Sequence, residues 1–373
     1  MTAKLRIVIA PDSFKGTTTA VDAAAALAAG WHAARPGDEV VLAPMADGGE
    51  GTIDTIAGSV PGALRMPERV LGPVGCGHNG LVDAEWLLLP ATSPGEGPTG
   101  VVELAAASGI THLDSLSPMA AHSYGFGQLI ARALEGGAHR LLLAIGGSAS
   151  TDGGTGALAA LGARFLDDNG GAVAPGGAGL GDIVRADLSA LTSLPPGGAV
   201  VLGDVTNPLF GEKGAAAVFG PQKGATPAQV AELDAGLRRL STVVSADPET
   251  PGAGAAGGTG FALLAWGASM TPGAVAVAEA IGLADSIRSA DVVITGEGRF
   301  DDQSSDGKVP SRVLALADEG GAVAMLVAGR VDADTHGFAA SVSLSDLAGS
   351  ADEALADPLR WLQVAGERLA GAL

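Results

Sequence analysis

The sequence has little of several features that define major protein classes. Its 373 residues include one cysteine, Cys76, which excludes an intrachain disulfide and a thiolate metal cluster. The amino-terminal apolar run is too short for a signal peptide, and no uninterrupted apolar segment reaches membrane-spanning length. We therefore expect a cytoplasmic protein.

Positive charge is also scarce. The chain has 21 Lys and Arg residues against 41 Asp and Glu residues, which gives a formal net charge of −20. An acidic surface repels nucleic acid and anionic lipid, so we expect neither as a partner. A small-molecule partner remains, and the chain is equally compatible with a monomer or a homodimer.

Several catalytic motifs are absent. There is no Walker A motif, which excludes ordinary P-loop enzymes, and the six histidines lack zinc-site spacing. The segment GGSAS (146–150) matches neither G-x-S-x-G nor S-x-x-K, so a serine hydrolase is not indicated. GAGAAGG (252–258) matches G-x-G-x-x-G but follows a loop, which favours a connector or a phosphate-binding glycine loop over a dinucleotide site.

Glycine, in contrast, is abundant. The chain has 58 glycines, about twice the usual share of roughly 7%. Because 47% of the residues are apolar, the chain is not a disordered linker protein. The extra glycines must lie in ordered loops, where the backbone approaches a ligand or another backbone closely.

Short apolar runs alternate with alanine-rich helical runs, which predicts an α/β fold with a mostly parallel sheet. A helix is expected over about 18–34, with Val21, Ala24, Ala28 and Trp31 on one face. The predicted strands lie at 5–10, 39–46, 140–150, 198–208, 290–298 and 322–331. Irregular sequence in the middle of the chain indicates a second domain, inserted between first and last strands that form one discontinuous domain.

Polar residues follow each of these strands. Ligands of open α/β sheets bind outside the carboxyl ends of the strands, so these residues could surround one common cleft. The alternative is local, because Asp, Ser and Thr after a strand are also favourable helix N-caps. The residues concerned are Asp12, Lys15, Asp47, Glu50, Ser148, Asp152, Asp204, Asn207, Glu297, Asp301 and Arg330.

This combination suits phosphoryl transfer, which needs carboxylates for Mg²⁺, cations over the phosphates and close backbone N–H groups. The candidate metal ligands by residue type are Asp152, Asp204, Glu297 and Asp301. The few cations beside glycine-rich turns suggest an anionic substrate, although Lys213 and Lys223 are equally well explained as solvated loop charges.

Six ordered segments also resemble a known family. They are IAPDSFKGT (9–17), PMADGGEGT (44–52), GGSASTDGGTGALAALGA (146–163), DVTNPLFGEKGAAAVFGPQKGA (204–225), GAAGGTGFALLA (254–265) and DVVITGEGRFDDQSSDGK (291–308). In this order they are similar to the signature segments of bacterial glycerate kinases with neither a P-loop nor a ribokinase-like fold. The resemblance runs from the first strand to about residue 315.

The resemblance implies ATP-dependent phosphorylation of D-glycerate with Mg²⁺, and 2-phosphoglycerate is favoured over 3-phosphoglycerate as the product. It also implies a discontinuous flavodoxin-like domain over 1–72 and 285–373, with an α/β domain inserted over 73–284.

The resulting site predictions fall into three groups. Asp47 is the first choice for a catalytic base, followed by Asp204, with Lys15 as a catalytic cation; the alternative for Asp47 is an N-cap of a helix over 52–57. The predicted metal ligands are Asp152, Glu297 and Asp301. The predicted substrate- and phosphate-binding residues are Asp12, Ser13, Gly48, Gly49, Glu50, Ser148, Asn207, Arg299, Gln303 and Lys308.

The chain departs from the family pattern at Ser304, where threonine is usual, at HSYGFG (122–127) and at Arg330. The last two could alter substrate contacts, so a kinase of another small hydroxy acid stays open. A non-catalytic nucleotide or metabolite sensor on the same fold is a further alternative, although the retained candidate acids speak against it.

Overall fold

The computed structural model describes residues 4–14, 16–76, 79–93, 95–302 and 308–373. The strands are β1 (Arg6–Ile9), β2 (Glu39–Leu42), β3 (Leu64–Cys76), β4 (Asn79–Leu89), β5 (Thr99–Glu103), β6 (Arg140–Ala144), β7 (Arg164–Leu166), β8 (Arg185–Asp187), β9 (Ala199–Leu202), β10 (Ser269–Thr271), β11 (Val292–Phe300), β12 (Val323–Val331) and β13 (Ala340–Ser343). The helices are α1 (Ala20–Ala34), α2 (Thr52–Ser59), α3 (Ala105–Ser108), α4 (Tyr124–Glu135), α5 (Thr155–Ala160), α6 (Ala215–Phe219), α7 (Pro227–Ser241), α8 (Ala255–Trp266), α9 (Gly273–Ala280), α10 (Leu283–Arg288), α11 (Val309–Gly320), α12 (Leu344–Ala348), α13 (Ala351–Ala356) and α14 (Pro358–Ala370). Within the described residues, no helix combines the length and apolarity that crossing a membrane requires.

One compact unit combines both ends of the chain: Met1–Asp47, Asp54–Pro61 and Pro272–Leu373. Its sheet has the order β13-β12-β11-β1-β2, and every neighbouring pair is parallel. Counted within the unit, the strand order is 2-1-3-4-5, which is the flavodoxin-like order. Strand β1 is almost wholly apolar because helices cover both faces of such a sheet. The predicted fold class is confirmed.

Helix α1 packs on α14 through a face that the sequence predicts only in part. Ala24 and Trp31 are buried as expected, but Val21 is 39% exposed. Leu27 and Gly30 are buried instead. The apolar stripe was placed wrongly because alanine occupies so many positions of this helix that several faces look equally apolar.

The second compact unit comprises Gly48–Ile53 and Gly62–Thr271. Its main sheet has the order β10-β9-β6-β5-β4-β3. Strands β10, β9, β6 and β5 are parallel to one another, β4 is antiparallel to β5, and β3 is antiparallel to β4. Strands β7 and β8 form a separate antiparallel pair. The long hairpin of β3 and β4 is absent from the strands predicted from the sequence.

The division of the chain differs in detail from the predicted boundaries at 72 and 285. Strand β3 begins at Leu64 and pairs with β4, so residues 64–72 belong to the sheet of the second unit. Helix α9 belongs to the first unit, whose last segment begins at Pro272.

The six predicted strands are therefore divided between two sheets. Strands β1, β2, β11 and β12 lie in the first sheet, and β6 and β9 lie in the second. The polar residues that follow them accordingly lie at the carboxyl edges of two different sheets.

The contact between α1 and α14 yields a stability prediction. A Cβ atom at Gly30 would overlap the backbone carbonyl of Gln363, whereas one at Gly58, in α2, meets nothing within 4 Å. We expect Gly30→Ala to lower the free energy of unfolding by about 1–3 kcal/mol through overpacking. Gly58→Ala is the control and should raise it by about 0.5–1 kcal/mol, because alanine favours helix. Urea unfolding of both variants checks this, and a neutral Gly30→Ala would contradict the packing.

Candidate active site

Glycine-rich loops meet at the carboxyl edge of the second sheet. The loop 48–51 lies against the ends of two strands: the N–H of Gly146, after β6, donates to the carbonyl of Gly48 at 3.0 Å, and Leu202 ends β9 beside it. A Cβ atom on Gly146 would be 2.5 Å from Cα of Gly49. Gly48 has φ +89° and lies against the Leu202 backbone, so neither position tolerates a side chain without a shift of the loop.

The same loop is held by Glu103, which is not among the site residues predicted from the sequence. Glu103 is the last residue of β5 and is 5% exposed. One of its carboxylate oxygens accepts from the N–H of Gly51 at 3.2 Å, and the other accepts from the N–H of Ile53 at 3.1 Å. The sequence signal was a single acidic residue inside the apolar run 101–107.

Asp47 directly precedes this loop and is partly exposed. The alternative for it was an N-cap of the following helix. The N–H groups of Gly51 and Ile53 lie at the start of α2, where backbone N–H groups have no acceptor within the helix. The carboxylate of Glu103 accepts hydrogen bonds from both, so Glu103 is the capping group at these two positions. Glu50, three residues after Asp47, is exposed.

Asp152 is fully buried, and both of its oxygens accept hydrogen bonds. One accepts from the N–H and the hydroxyl of Ser123, each at 2.8 Å, and from the N–H of Gly156 at 3.2 Å. The other accepts from the N–H of Gly154 at 3.0 Å. These partners make Asp152 an anchor for the starts of α4 and α5. Across the described ranges, no group of three or more His, Cys, Asp or Glu side chains could hold a metal ion.

Lys223 is a buried cation beside the loop 146–151. The side chain is 4% exposed, and its Nζ donates to the carbonyl of Ser150 and lies 3.5 Å from the hydroxyl of Ser148. Burial lowers the pKa of the Lys223 amine to about 8, and the negative charge of Asp152 opposes part of this change. Lys223 is therefore not a solvated loop charge, which was the alternative for it.

The remaining predicted residues of this unit are Ser148, Asp204 and Asn207. Ser148 is 8% exposed, and its hydroxyl also contacts the carbonyl of Ala256 at 3.4 Å. Asp204 follows β9 and is exposed. The side-chain amide of Asn207 donates to the carbonyl of Lys213 at 2.8 Å.

In the first unit, two predicted acids are neighbours at the carboxyl ends of β1 and β11. The N–H of Asp12 donates to the carbonyl of Gly296 at 2.8 Å, which places Asp12 beside Glu297. Asp12 is 6% exposed and Glu297 is 7% exposed. The N–H of Ser13 donates to the Asp12 carboxylate at 2.6 Å. This is the position where strand order reverses in a flavodoxin-like sheet, and ligands of such sheets bind there.

Arg299 and Arg330 face one carboxylate on the neighbouring ends of β11 and β12. Their Nε atoms lie 2.8 Å and 2.6 Å from the oxygens of Asp332. Arg299 is also 3.6 Å from Asp301. The backbone of β11 is extended up to Phe300, so the Cα atoms of residues 297 and 300 are about 10 Å apart.

Three residues complete the set of predictions. Lys308 is half-buried and immediately precedes α11, and its carbonyl accepts from the hydroxyl of Ser311 at 2.9 Å. Lys15 and Gln303 lie outside the described residues, as does Ser304.

Comparison with known proteins agrees with this architecture. The family model of the glycerate kinase family matches residues 7–373. The chain belongs to the glycerate kinase family. It is therefore a kinase by class, and the resemblance of its six segments is confirmed.

Three relatives match nearly the whole chain. A glycerate kinase of Halalkalibacterium halodurans is 39% identical, with 98% of this chain and 97% of the relative covered. A glycerate 2-kinase of Escherichia coli K12 is also 39% identical, with 94% and 93% covered. The crystal structure of a candidate glycerate kinase 2 from Salmonella typhimurium LT2 is 36% identical, with a TM-score of 0.83 and 99% and 98% of the two chains covered.

Glu103 yields a prediction about the 48–51 loop. Glutamine has a single side-chain oxygen, so Glu103→Gln loses one of the two charged hydrogen bonds to backbone N–H groups. We expect the free energy of unfolding to fall by about 1–3 kcal/mol. Glu50→Gln makes the same chemical change at an exposed position and should alter it by less than about 0.5 kcal/mol. Urea unfolding of the pair measures the difference, and equal stabilities would contradict the role of Glu103.

Lys223 yields a prediction about pH. Its lowered pKa corresponds to about 3 kcal/mol against folding below pH 8. Between pH 8 and 10.5 the unfolded chain holds this proton and the folded chain does not, so the cost declines as pH rises. Lys223→Met removes the cost, so its stability relative to the wild type should be greatest below pH 8 and decline towards pH 10.5. Urea unfolding across this range tests this, and a pH-independent difference would contradict it.

Proposed function

We propose that this protein is a glycerate kinase that transfers the γ-phosphoryl group of ATP to the C2 hydroxyl of D-glycerate. The observation that carries the proposal is the nearly full-length match to relatives of named activity, one of which is a glycerate 2-kinase. The candidate acids are retained in this chain, which supports catalysis over a sensor that only binds the nucleotide.

Asp47 is the proposed base that accepts the proton of the attacking hydroxyl. It stands at the start of a loop whose backbone is fixed by Gly146 and Glu103, and a base needs such positioning. The N–H groups of Gly48 and Gly49 are proposed to approach the small substrate together with the carboxylate. Asp204, exposed at the end of β9, is the second candidate.

Cations are proposed to hold the substrate carboxylate and the phosphates. Arg299 lies near the carboxyl end of β11, Lys308 immediately precedes α11, and Lys15 follows β1 in sequence. Asp332 and Asp301 hold the Arg299 side chain in place, which reduces the entropy lost when it binds an anion.

For Mg²⁺, the neighbouring Asp12 and Glu297 fit better than the predicted trio. Mg²⁺ in kinases takes one or two protein carboxylates and completes its shell with water and phosphate oxygens, so two adjacent buried acids are sufficient. Asp152 already accepts four hydrogen bonds, and Asp301 pairs with Arg299. When bound, Mg²⁺ neutralises charge on the transferring phosphoryl group.

Asp47→Asn tests the base. We expect turnover to fall by about 10²–10⁴-fold, because asparagine cannot accept the hydroxyl proton. ATP binding, measured by calorimetry, and the melting temperature should stay close to the wild type. Asp204→Asn is the matched comparison and should lose far less. If Asp47→Asn kept near-normal kcat, Asp47 would not be the base.

The position of phosphorylation needs a separate assay with ATP, Mg²⁺ and D-glycerate. Enolase with pyruvate kinase reports 2-phosphoglycerate, and added phosphoglycerate mutase also reports 3-phosphoglycerate. We expect pyruvate without the mutase. Pyruvate that requires the mutase would contradict C2 as the position. ATP binding without product would point to another hydroxy acid or to a sensor.

A further inference from the structure

Lys223 is buried where its neighbours are exposed. It belongs to the short turn Pro221–Lys223, in which Pro221 and Gln222 are exposed, as is Gly224 after it. A lysine in such a turn can normally extend its amine into water. Here the side chain points inward, which is costly for an ammonium group and therefore calls for a reason.

The surroundings of the amine do not neutralise it. No carboxylate of the described residues lies within 4 Å of Nζ, and its hydrogen-bond partners there are the carbonyl of Ser150 and the hydroxyl of Ser148. Asp152 is the acid that acts on it at longer range, and both oxygens of Asp152 accept other hydrogen bonds. An ammonium has three donors, so one is left over in the described surroundings.

The loop above the amine has the properties of an anion site. Gly147 is exposed with φ +72°, so the backbone beside Ser148 is accessible and has no side chain in the way. The hydroxyl of Thr151, in the same loop, is buried without a hydrogen-bond partner among the residues described.

A strained turn contacts this loop, since the hydroxyl of Ser148 lies 3.4 Å from the carbonyl of Ala256. Ala256, Gly257 and Gly258 are all left-handed, and Ala256 is the one non-glycine residue with positive φ in the described chain. The carbonyl of Gly257 accepts from the N–H of Gly153 at 3.0 Å. Such strain persists only where the surroundings enforce it, and it is concentrated at ligand sites.

We propose that the Lys223 ammonium and the Ser148 hydroxyl bind a phosphate group of the nucleotide at the 146–151 loop. The inference rests on the proposed function, since it takes ATP as the ligand. The amine is already dehydrated and in place before the ligand arrives, so a phosphate oxygen gains a fixed, poorly screened positive charge. A bound phosphate would also supply the counter-charge that the described surroundings of Lys223 do not.

Two variants separate this role from a structural one. Lys223→Met removes both the charge and the donor, whereas Lys223→Gln removes the charge but can still donate to the Ser150 carbonyl. We expect both to weaken ATP binding at least tenfold in calorimetry, with the binding of adenosine, measured by displacement, unchanged. A structural lysine predicts that Gln restores ATP affinity, and that result would overturn the proposal.

The melting temperature gives a second readout. A lysine kept for binding destabilises the protein without ligand, so we expect neither variant to melt below the wild type. Lys4→Met, at an exposed position in the other unit, makes the same change of charge and should keep ATP affinity within about twofold. A large loss in Lys4→Met would show a long-range charge effect and overturn the assignment to Lys223.

Ser148→Ala keeps the test decisive if the lysine variants fail to fold. It removes one hydroxyl and should weaken ATP binding about three- to tenfold with adenosine unaffected, and unchanged ATP affinity would overturn the joint site. Wild-type turnover and ATP binding separate the two claims. If the wild type binds ATP and phosphorylates D-glycerate while Lys223→Gln binds ATP normally, this inference alone fails. If the wild type does not bind ATP, both fail.

Discussion

The candidate active site depends on one backbone contact, between the glycines at 48–49 and Gly146. The loop 48–51 comes from far along the chain, yet it lies directly on the ends of β6 and β9 because no side chain separates the backbones. Glu103 then secures the amides at the start of α2. The proposed base, Asp47, precedes this loop, so its position depends on contacts made by residues with no catalytic chemistry of their own.

Electrostatics explains how an acidic protein can handle an anionic substrate. With a net charge of −20, the chain as a whole repels nucleoside triphosphates and the proposed substrate, so attraction must come from a few cations in selected places. Lys223 is the extreme case, since its charge is withdrawn from water and screened poorly. Asp152, which follows the loop 146–151, accepts hydrogen bonds from the starts of α4 and α5. Its negative charge also compensates part of the Lys223 charge at longer range.

The structural elements that the sequence predicts are those marked by a local pattern of apolar residues. Strands such as β1 and β11 were found because strands buried on both faces are continuous apolar runs. The order of the strands in the second sheet was not predicted, because it depends on contacts distant in sequence. Glu103 was missed for the same reason: its partners are 52 and 50 residues away. For Asp152 the sequence shows a carboxylate but not the four hydrogen bonds that it accepts, and its role as a metal ligand remains a prediction. The roles of Asp47 and Lys308 remain predictions.

The turnover of Gly146→Ala with ATP, Mg²⁺ and D-glycerate tests most directly whether the contact between Gly146 and the loop 48–51 builds the site. The added Cβ would stand 2.5 Å from Cα of Gly49 and displace the loop that follows Asp47, whereas a Cβ at Gly181, in the same unit, meets nothing within 4 Å. We predict a loss of about 10²-fold or more for Gly146→Ala in a chain that still folds, as judged by circular dichroism, because small misplacements of catalytic groups cost that much. Gly181→Ala should match the wild type. Turnover of folded Gly146→Ala within twofold of the wild type would contradict the claim that this contact builds the site.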